Sequence, residues 1–202
     1  MDLTTKLPNN MMYFILTQFD STMGTNGAKA VLNYSGLSRL IDNYPPNDFN
    51  PGEPIQTFFA LVSSVMRIYG EKGFRALIRD VGKKVFHEMR KTFPWLFEIE
   101  DIVLDGLSPC ERFTVTYKSY IDKASKIFNT RTSLEIHPNK IIDTSHDCIW
   151  CMGLKSNGPI CIFTEDFYIA MAEWVGVSHF KVTETHCRAA GDETCIFVST
   201  FD

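Results

Sequence analysis

The sequence predicts an α+β fold. Helical periodicity fills the first half, apolar residues recur with a period of two from about residue 99, and one helical stretch interrupts the later strands.

Residues 1–54 read as an N-terminal helical extension. Asn9 and Asn10 are placed to cap a helix through Phe19, Gly24 and Gly27 break it before a second helical stretch, and the Pro- and Asn-rich run from Pro45 to Pro54 forms a loop. The remaining residues, 55–202, form the main domain. Ile55 to Tyr69 is apolar on nearly all sides and stops at Gly70, so it must bury more than one face. Phe74 to Met89 repeats apolar residues every three or four positions with charges between them, as an amphipathic helix does, and Thr92, Phe93 and Pro94 end it. Phe113, Val115, Tyr117 and Tyr120 alternate with polar residues as in a strand, and Asp122 to Asn129 reads as a short helix. Thr132–Ile136 and Ile141–Thr144 flank a His137-Pro-Asn-Lys140 turn, a hairpin. Glu165 to Val175, capped by Thr164, reads as a helix, and Phe180–Thr185 and Ile196–Thr200 close the chain as strands.

Composition narrows the function. With 202 residues, 45% hydrophobic and 22% charged, the chain carries enough apolar surface for an ordinary core. A net charge of -4 and no basic stripe argue against nucleic-acid binding. No apolar run reaches the length of a membrane span, and no cleavable leader is visible, so a cytoplasmic location is expected. In a reducing compartment the six cysteines are thiols, and their spacing reads first as metal chemistry.

Five of them fall late in the chain: Cys148-Ile-Trp-Cys151, Cys161, Cys187 and Cys195, with Glu184 nearby. Thiolates and a carboxylate suit a tetrahedral zinc ion. Two ligand sets compete. One is Cys161, Glu184, Cys187 and Cys195; the other joins the CxxC pair Cys148 and Cys151 to Cys187 and Cys195, and spacing favours this second set. The first set needs a bulge, because Glu184 and Cys187, three apart, face opposite sides of a regular strand. Buried inert thiols are the plain alternative.

The run Val182-Thr-Glu184-Thr-His-Cys187-Arg-Ala-Ala-Gly191-Asp192-Glu-Thr-Cys195-Ile-Phe197-Val, together with Cys148-Ile-Trp-Cys151 and Pro159-Ile-Cys161, resembles the closing signature of the 4-vinyl-reductase domain over about residues 145–199. The resemblance implies helices packed on a twisted antiparallel sheet, the fold of the ligand-binding domains of Golgi transport and nitric-oxide signalling proteins. It also implies a dimer enclosing an apolar pocket. By the same resemblance the metal ligands are Cys161, Glu184, Cys187 and Cys195, which reverses the preference from spacing and leaves Cys148 and Cys151 as alternatives. The haem-binding relatives use a Tyr-x-Ser-x-Arg clamp. Here Tyr117, Ser119 and Ile121 lack the Arg, so haem is not expected.

The favoured function is binding or sensing of a small hydrophobic molecule, tetrapyrrole, aromatic or acyl, by a zinc-tied homodimer. Its candidate pocket residues are Phe58, Phe59, Val62, Met66, Phe86, Trp95, Phe113 and Tyr117. One alternative is a part in 4-vinyl reduction during bacteriochlorophyll synthesis. No nucleotide fingerprint supports a self-sufficient reductase, and His146, Asp147, His179 and His186 lack a paired base or nucleophile. A dimeric interaction module is the other alternative.

Overall fold

A computed structural model describes residues 4–79, 81–98 and 106–202. Asp80 and the expected onset of strand periodicity at residue 99 lie outside the described residues. The architecture is α+β, with helices on one face of a four-stranded antiparallel sheet.

Strand β1 (Lys6–Pro8) pairs with β2 (Pro51–Pro54) and leads into helix α1 (Asn9–Tyr34), which departs from helical geometry at Gly24 with φ of 75°. Pro8 precedes the helix, and Asn10 turns its side chain inward instead of capping. Leu7, Met12, Ile15 and Leu16 from this segment are fully buried in the same core as the later elements. Helix α2 (Ile55–Ile78) breaks at Gly70, φ 66°, as expected, and then resumes. The single helix expected over Phe74–Met89 is divided: Arg79 is extended, and α3 (Val81–Thr92) begins afresh. Its Gly82 lies against α5 (Ile162–Val175), where an added Cβ would collide with the backbone around Phe163 and Phe167. These two helices therefore pack backbone to backbone.

The strand expected around Phe113–Tyr120 is instead part of α4 (Pro109–Phe128). The chain carried a helix signal there. Ser108 Oγ accepts from the Glu111 amide at 3.3 Å and the Glu111 carboxylate accepts from the Ser108 amide at 2.8 Å, a capping box with Pro109 in the first turn. Phe113, Tyr117, Ile121 and Ala124 then recur every three or four residues on the buried face. The four aromatic and β-branched residues at near-alternate positions had imitated a strand.

Strands β3 (Thr132–His137), β4 (Lys140–Ser145), β5 (Phe180–His186) and β6 (Cys195–Phe201) form the sheet in the order β3-β4-β6-β5. The β3–β4 hairpin closes at the expected place, but His137 and Lys140 pair with each other, so the turn is two residues and not four. Ile141, Asp143, Val182, Glu184, Cys195, Phe197 and Phe201 point to the helical face and are buried. Two carboxylates are thus carried into the core on the inward register. Among the described residues no helix is long and apolar enough to cross a membrane.

Candidate functional site

Two features converge behind the sheet, a cluster of thiols and a cavity. The cluster is built by the closing hairpin. β5 pairs regularly until Glu184 lies opposite Phe197, and a register shift between Glu184 and His186 supplies the bulge that brings Glu184 and Cys187 to one side. Cys187 follows β5, and its amide donates to the Asp192 carboxylate at 2.7 Å. Gly191, at φ 109°, occupies the left-handed position that returns the chain to Cys195. Cys161 stands at the N-terminus of α5, where its amide donates to Glu184 Oε2 at 2.8 Å. Glu184 Oε1 is buried and has no partner among the described residues.

Cys148 and Cys151 arrive on the connection between β4 and α5. Cys148 Sγ lies 3.5 Å from Cys161 Sγ, Cys151 Sγ lies 3.3 Å from Cys195 Sγ, and Cys161 and Cys195 are 3.9 Å apart. Two overlapping tetrads each hold their ligand atoms within 4.8 Å of one another: Cys148, Cys151, Cys161, Cys195, and Cys161, Glu184, Cys187, Cys195. The second is the set implied by the family resemblance. In the first, Cys161 stands where spacing had placed Cys187. All five cysteines are buried free thiols, and burial pushes the Cys161 thiol well above its ordinary range. His186, beside Cys187, is exposed and pairs with Thr185.

The cavity, about 140 Å³, lies between the helices and the sheet. Phe14 and Ile15 of α1, Val85 and Met89 of α3, Tyr120 and Ile121 of α4, and Phe163, Phe167 and Tyr168 of α5 supply most of its apolar wall. Trp150 stacks on Phe163 with centroids 3.6 Å apart, and both border the space. Cys148 borders it as well, so one wall is shared with the thiol cluster.

The polar side is unusual in its hydrogen bonding. Asp143 is 1% exposed, and its Oδ2 accepts from the Tyr117 hydroxyl at 2.8 Å and the Tyr168 hydroxyl at 2.6 Å. Burial pushes the Asp143 carboxyl up to about 6, against the lowering effect of the two phenols. The same burial raises both phenols well above 10. Among the described residues Asp143 Oδ1 has no partner, and neither do the amide nitrogen and oxygen of Asn10, also 1% exposed and on the cavity wall. Buried polar atoms left unpaired cost about 1–3 kcal/mol each. Neither residue had been read from the sequence as part of a site, Asn10 having been expected to cap the first helix. An aspartate at an inward strand position next to Ile141, and an asparagine inside an apolar helical stretch, were the available signals.

None of the eight expected pocket residues borders the cavity. Phe58, Phe86, Phe113 and Tyr117 are fully buried core, and Val62 is buried beside them. Phe59 and Met66 are only partly buried, and Trp95 is 45% exposed. These positions were chosen by apolarity, and the most apolar faces meet each other and close up, while this cavity lies beside Asn10 and Asp143. His146 pairs with Ser133 and Asp147 with Arg131, at 2.8 and 3.1 Å in a forked ion pair. His146, His179 and His186 all lie outside the cavity lining.

Comparison with known proteins revises the family. No family model matches the chain, and no curated protein matches it. Solved structures do match, and the three that follow are each 11% identical to this chain. An unliganded ferrous H-NOX protein from K. algicida superposes with a TM-score of 0.65 at 11% identity, covering 97% of each chain. A structure from a study of heme distortion in the H-NOX family gives 0.63 at 11%, covering 96% of this chain and 94% of that one. An oxygen-binding H-NOX domain related to soluble guanylate cyclases, in its oxygen complex, gives 0.60 at 11%, covering 97% and 95%. The 4-vinyl-reductase assignment is therefore withdrawn, and with it the expected link to bacteriochlorophyll synthesis. Its signature rested on one hairpin and its approach, whereas the structural likeness spans nearly the whole chain. Zinc is withdrawn as the expected cofactor for the same reason, since these neighbours are heme proteins and nothing in the comparisons concerns zinc.

The heme of those neighbours does not fit the residues present here. A cavity of about 140 Å³ is on the scale of one that takes a single benzene ring, about 150 Å³, and no histidine borders it. What the likeness does establish is architecture: this chain has the fold of the H-NOX domains.

Proposed function

We propose that this chain is a binding module for a small molecule of single-ring size that carries a hydrogen-bond donor. The observation that carries the reading is the cavity walled by aromatic and aliphatic side chains with Asp143 Oδ1 and the Asn10 amide unpaired on its polar side. An apolar wall with a few convergent polar groups is the usual form of a small-molecule site. The ligand's ring would fill the space beside Phe163 and Phe167, and its donor would complete Asp143, which Tyr117 and Tyr168 already hold in place through the other oxygen. The heme and oxygen chemistry of the fold's relatives supports a sensing role for the space between helices and sheet, with a different occupant here.

Calorimetric titration with benzene, phenol, aniline and heme tests this reading. A hydrogen bond to a charged group contributes about 1.5–3 kcal/mol, so phenol and aniline should bind at least tenfold more tightly than benzene. Asp143→Asn should remove most of that preference while benzene affinity holds. Saturable heme binding in preference to the single-ring compounds, or no saturable binding of any of these rings, refutes the assignment.

A further inference from the structure

We infer that the occupant of the cavity is an organic cation, a protonated nitrogen base of single-ring size held by Asp143, the Asn10 side-chain oxygen and the aromatic faces around them. This narrows the ligand class proposed above and depends on that reading.

Charge favours a cation. Two carboxylates border the cavity, Asp143 and Asp147, and among the described residues no lysine, arginine or histidine does. Asp147 is balanced from outside the lining by Arg131, which donates to both of its oxygens. Asp143 has no such partner: two neutral phenols reach it, both at Oδ2. A carboxylate taken out of water ordinarily finds an opposite charge or takes up a proton. Burial raises the Asp143 carboxyl only to about 6, so at neutral pH it is ionised and its charge on the cavity wall is unmatched. An anionic ligand meets repulsion there, and a neutral one leaves the charge uncompensated.

The polar atoms agree. Asp143 Oδ1 and Asn10 Oδ1, buried and without partners among the described residues, are both acceptors. A protonated amine carries several N–H donors and no acceptor, whereas a phenol carries one donor. Asn10 Nδ2 remains to donate to the π face of a bound ring. The walls agree as well. Trp150, Phe163, Phe167 and Tyr168 border the space, and the negative face of an aromatic ring attracts a cation within about 6 Å. Tyr168 also donates to Asp143, so the carboxylate and a ring belong to the same side of the cavity.

The ionisation of Asp143 then controls affinity. The titratable groups packed against it are Tyr117 and Tyr120 of α4 and Tyr168 of α5, all raised by burial and neutral at physiological pH. Its neighbours on β3 and β6 are Leu134 and Phe197, which do not titrate, and α1 brings Asn10 to the cavity. Arg131 holds the Asp147 carboxyl below its usual range, so that charge stays constant. A cation entering at low pH releases the Asp143 proton to solvent, and no covalent bond changes otherwise.

Calorimetric titration of the full chain with 4-aminopyridine, a cation at neutral pH, and with aniline, neutral and of the same size, tests the inference beside benzene and phenol. At pH 7.5 the cation should bind at least tenfold more tightly than aniline. From pH 7.5 to pH 5 its affinity should fall about tenfold as Asp143 takes up a proton, while that of benzene stays level. Asp143→Asn should bind 4-aminopyridine no more tightly than aniline, at either pH. Equal or weaker binding of the cation by the wild type overturns the inference, as does a cation affinity that ignores pH or an advantage that survives in Asp143→Asn. If the variant fails to fold, the wild-type preference and its pH dependence still decide. Phenol and aniline binding well above benzene with no gain for the cation removes this inference and leaves the donor reading standing; no saturable ring binding removes both.

Discussion

Asp143 allows a stability experiment whose sign and size follow from its surroundings. Two phenol hydroxyls donate to it, and at about 1.5–3 kcal/mol for a hydrogen bond to a charge they would hold the carboxylate ionised well below its ordinary range. Burial opposes them and prevails, leaving the group at about 6 against 3.8 when exposed. The native state therefore keeps the proton more tightly than the unfolded chain. This contribution to stability is complete below about pH 3.8, declines as pH rises through about 6, and is absent above that. At about 1.4 kcal/mol per pH unit the whole change is about 3 kcal/mol. Urea unfolding of the wild type and Asp143→Asn between pH 4 and pH 8 isolates it, because every other titrating group is common to both. The wild type should lose about 2.4 kcal/mol relative to the variant over that interval, most of it before pH 7. Parallel pH profiles, or a wild type that gains on the variant with rising pH, would mean that the tyrosines outweigh burial and that the carboxylate is ionised throughout.

Two further changes probe the frame of the site. In Gly82→Ala the new methyl would lie 2.9 Å from the Asp166 Cβ and the Phe167 amide and closer still to the Phe163 carbonyl. Overpacking costs about 1–3 kcal/mol, so the urea midpoint should drop, and because Phe163 and Phe167 wall the cavity, ring affinity should change with it; an unchanged midpoint would show that α3 and α5 are not in backbone contact. Ser108→Ala removes the cap of α4 and should cost about 1 kcal/mol in the same assay, whereas no loss would place the helix start elsewhere.

The late elements were legible because local chemistry specifies them: the His137–Lys140 turn, the alternation in β5 and β6, and Gly191-Asp192 returning the chain toward Cys187. Gly70 marked a helix break wherever the helix went next. The stretch around Tyr117 misled because aromatic residues at near-alternate positions satisfy a strand pattern, while the Ser108–Glu111 box, a stronger local signal, stood just upstream. The cysteine signature named side chains that the fold brings together, but it was read wrongly as a family, since a short hairpin motif does not specify the surrounding fold.

What the sequence determined by itself was the mixed helix-and-sheet class, most element positions, and the set of thiols and the carboxylate available for ligation. All of these depend on near neighbours in the chain. Only the tertiary structure decided that Cys148 meets Cys161 while Cys151 meets Cys195, that Asp143 and Asn10 face one space, and that the most apolar helical faces close on each other instead of lining it. Those outcomes depend on how helices and strands distant in sequence stack. Apolar attraction has no direction, and the places where packing fails to close are settled only when every element is present.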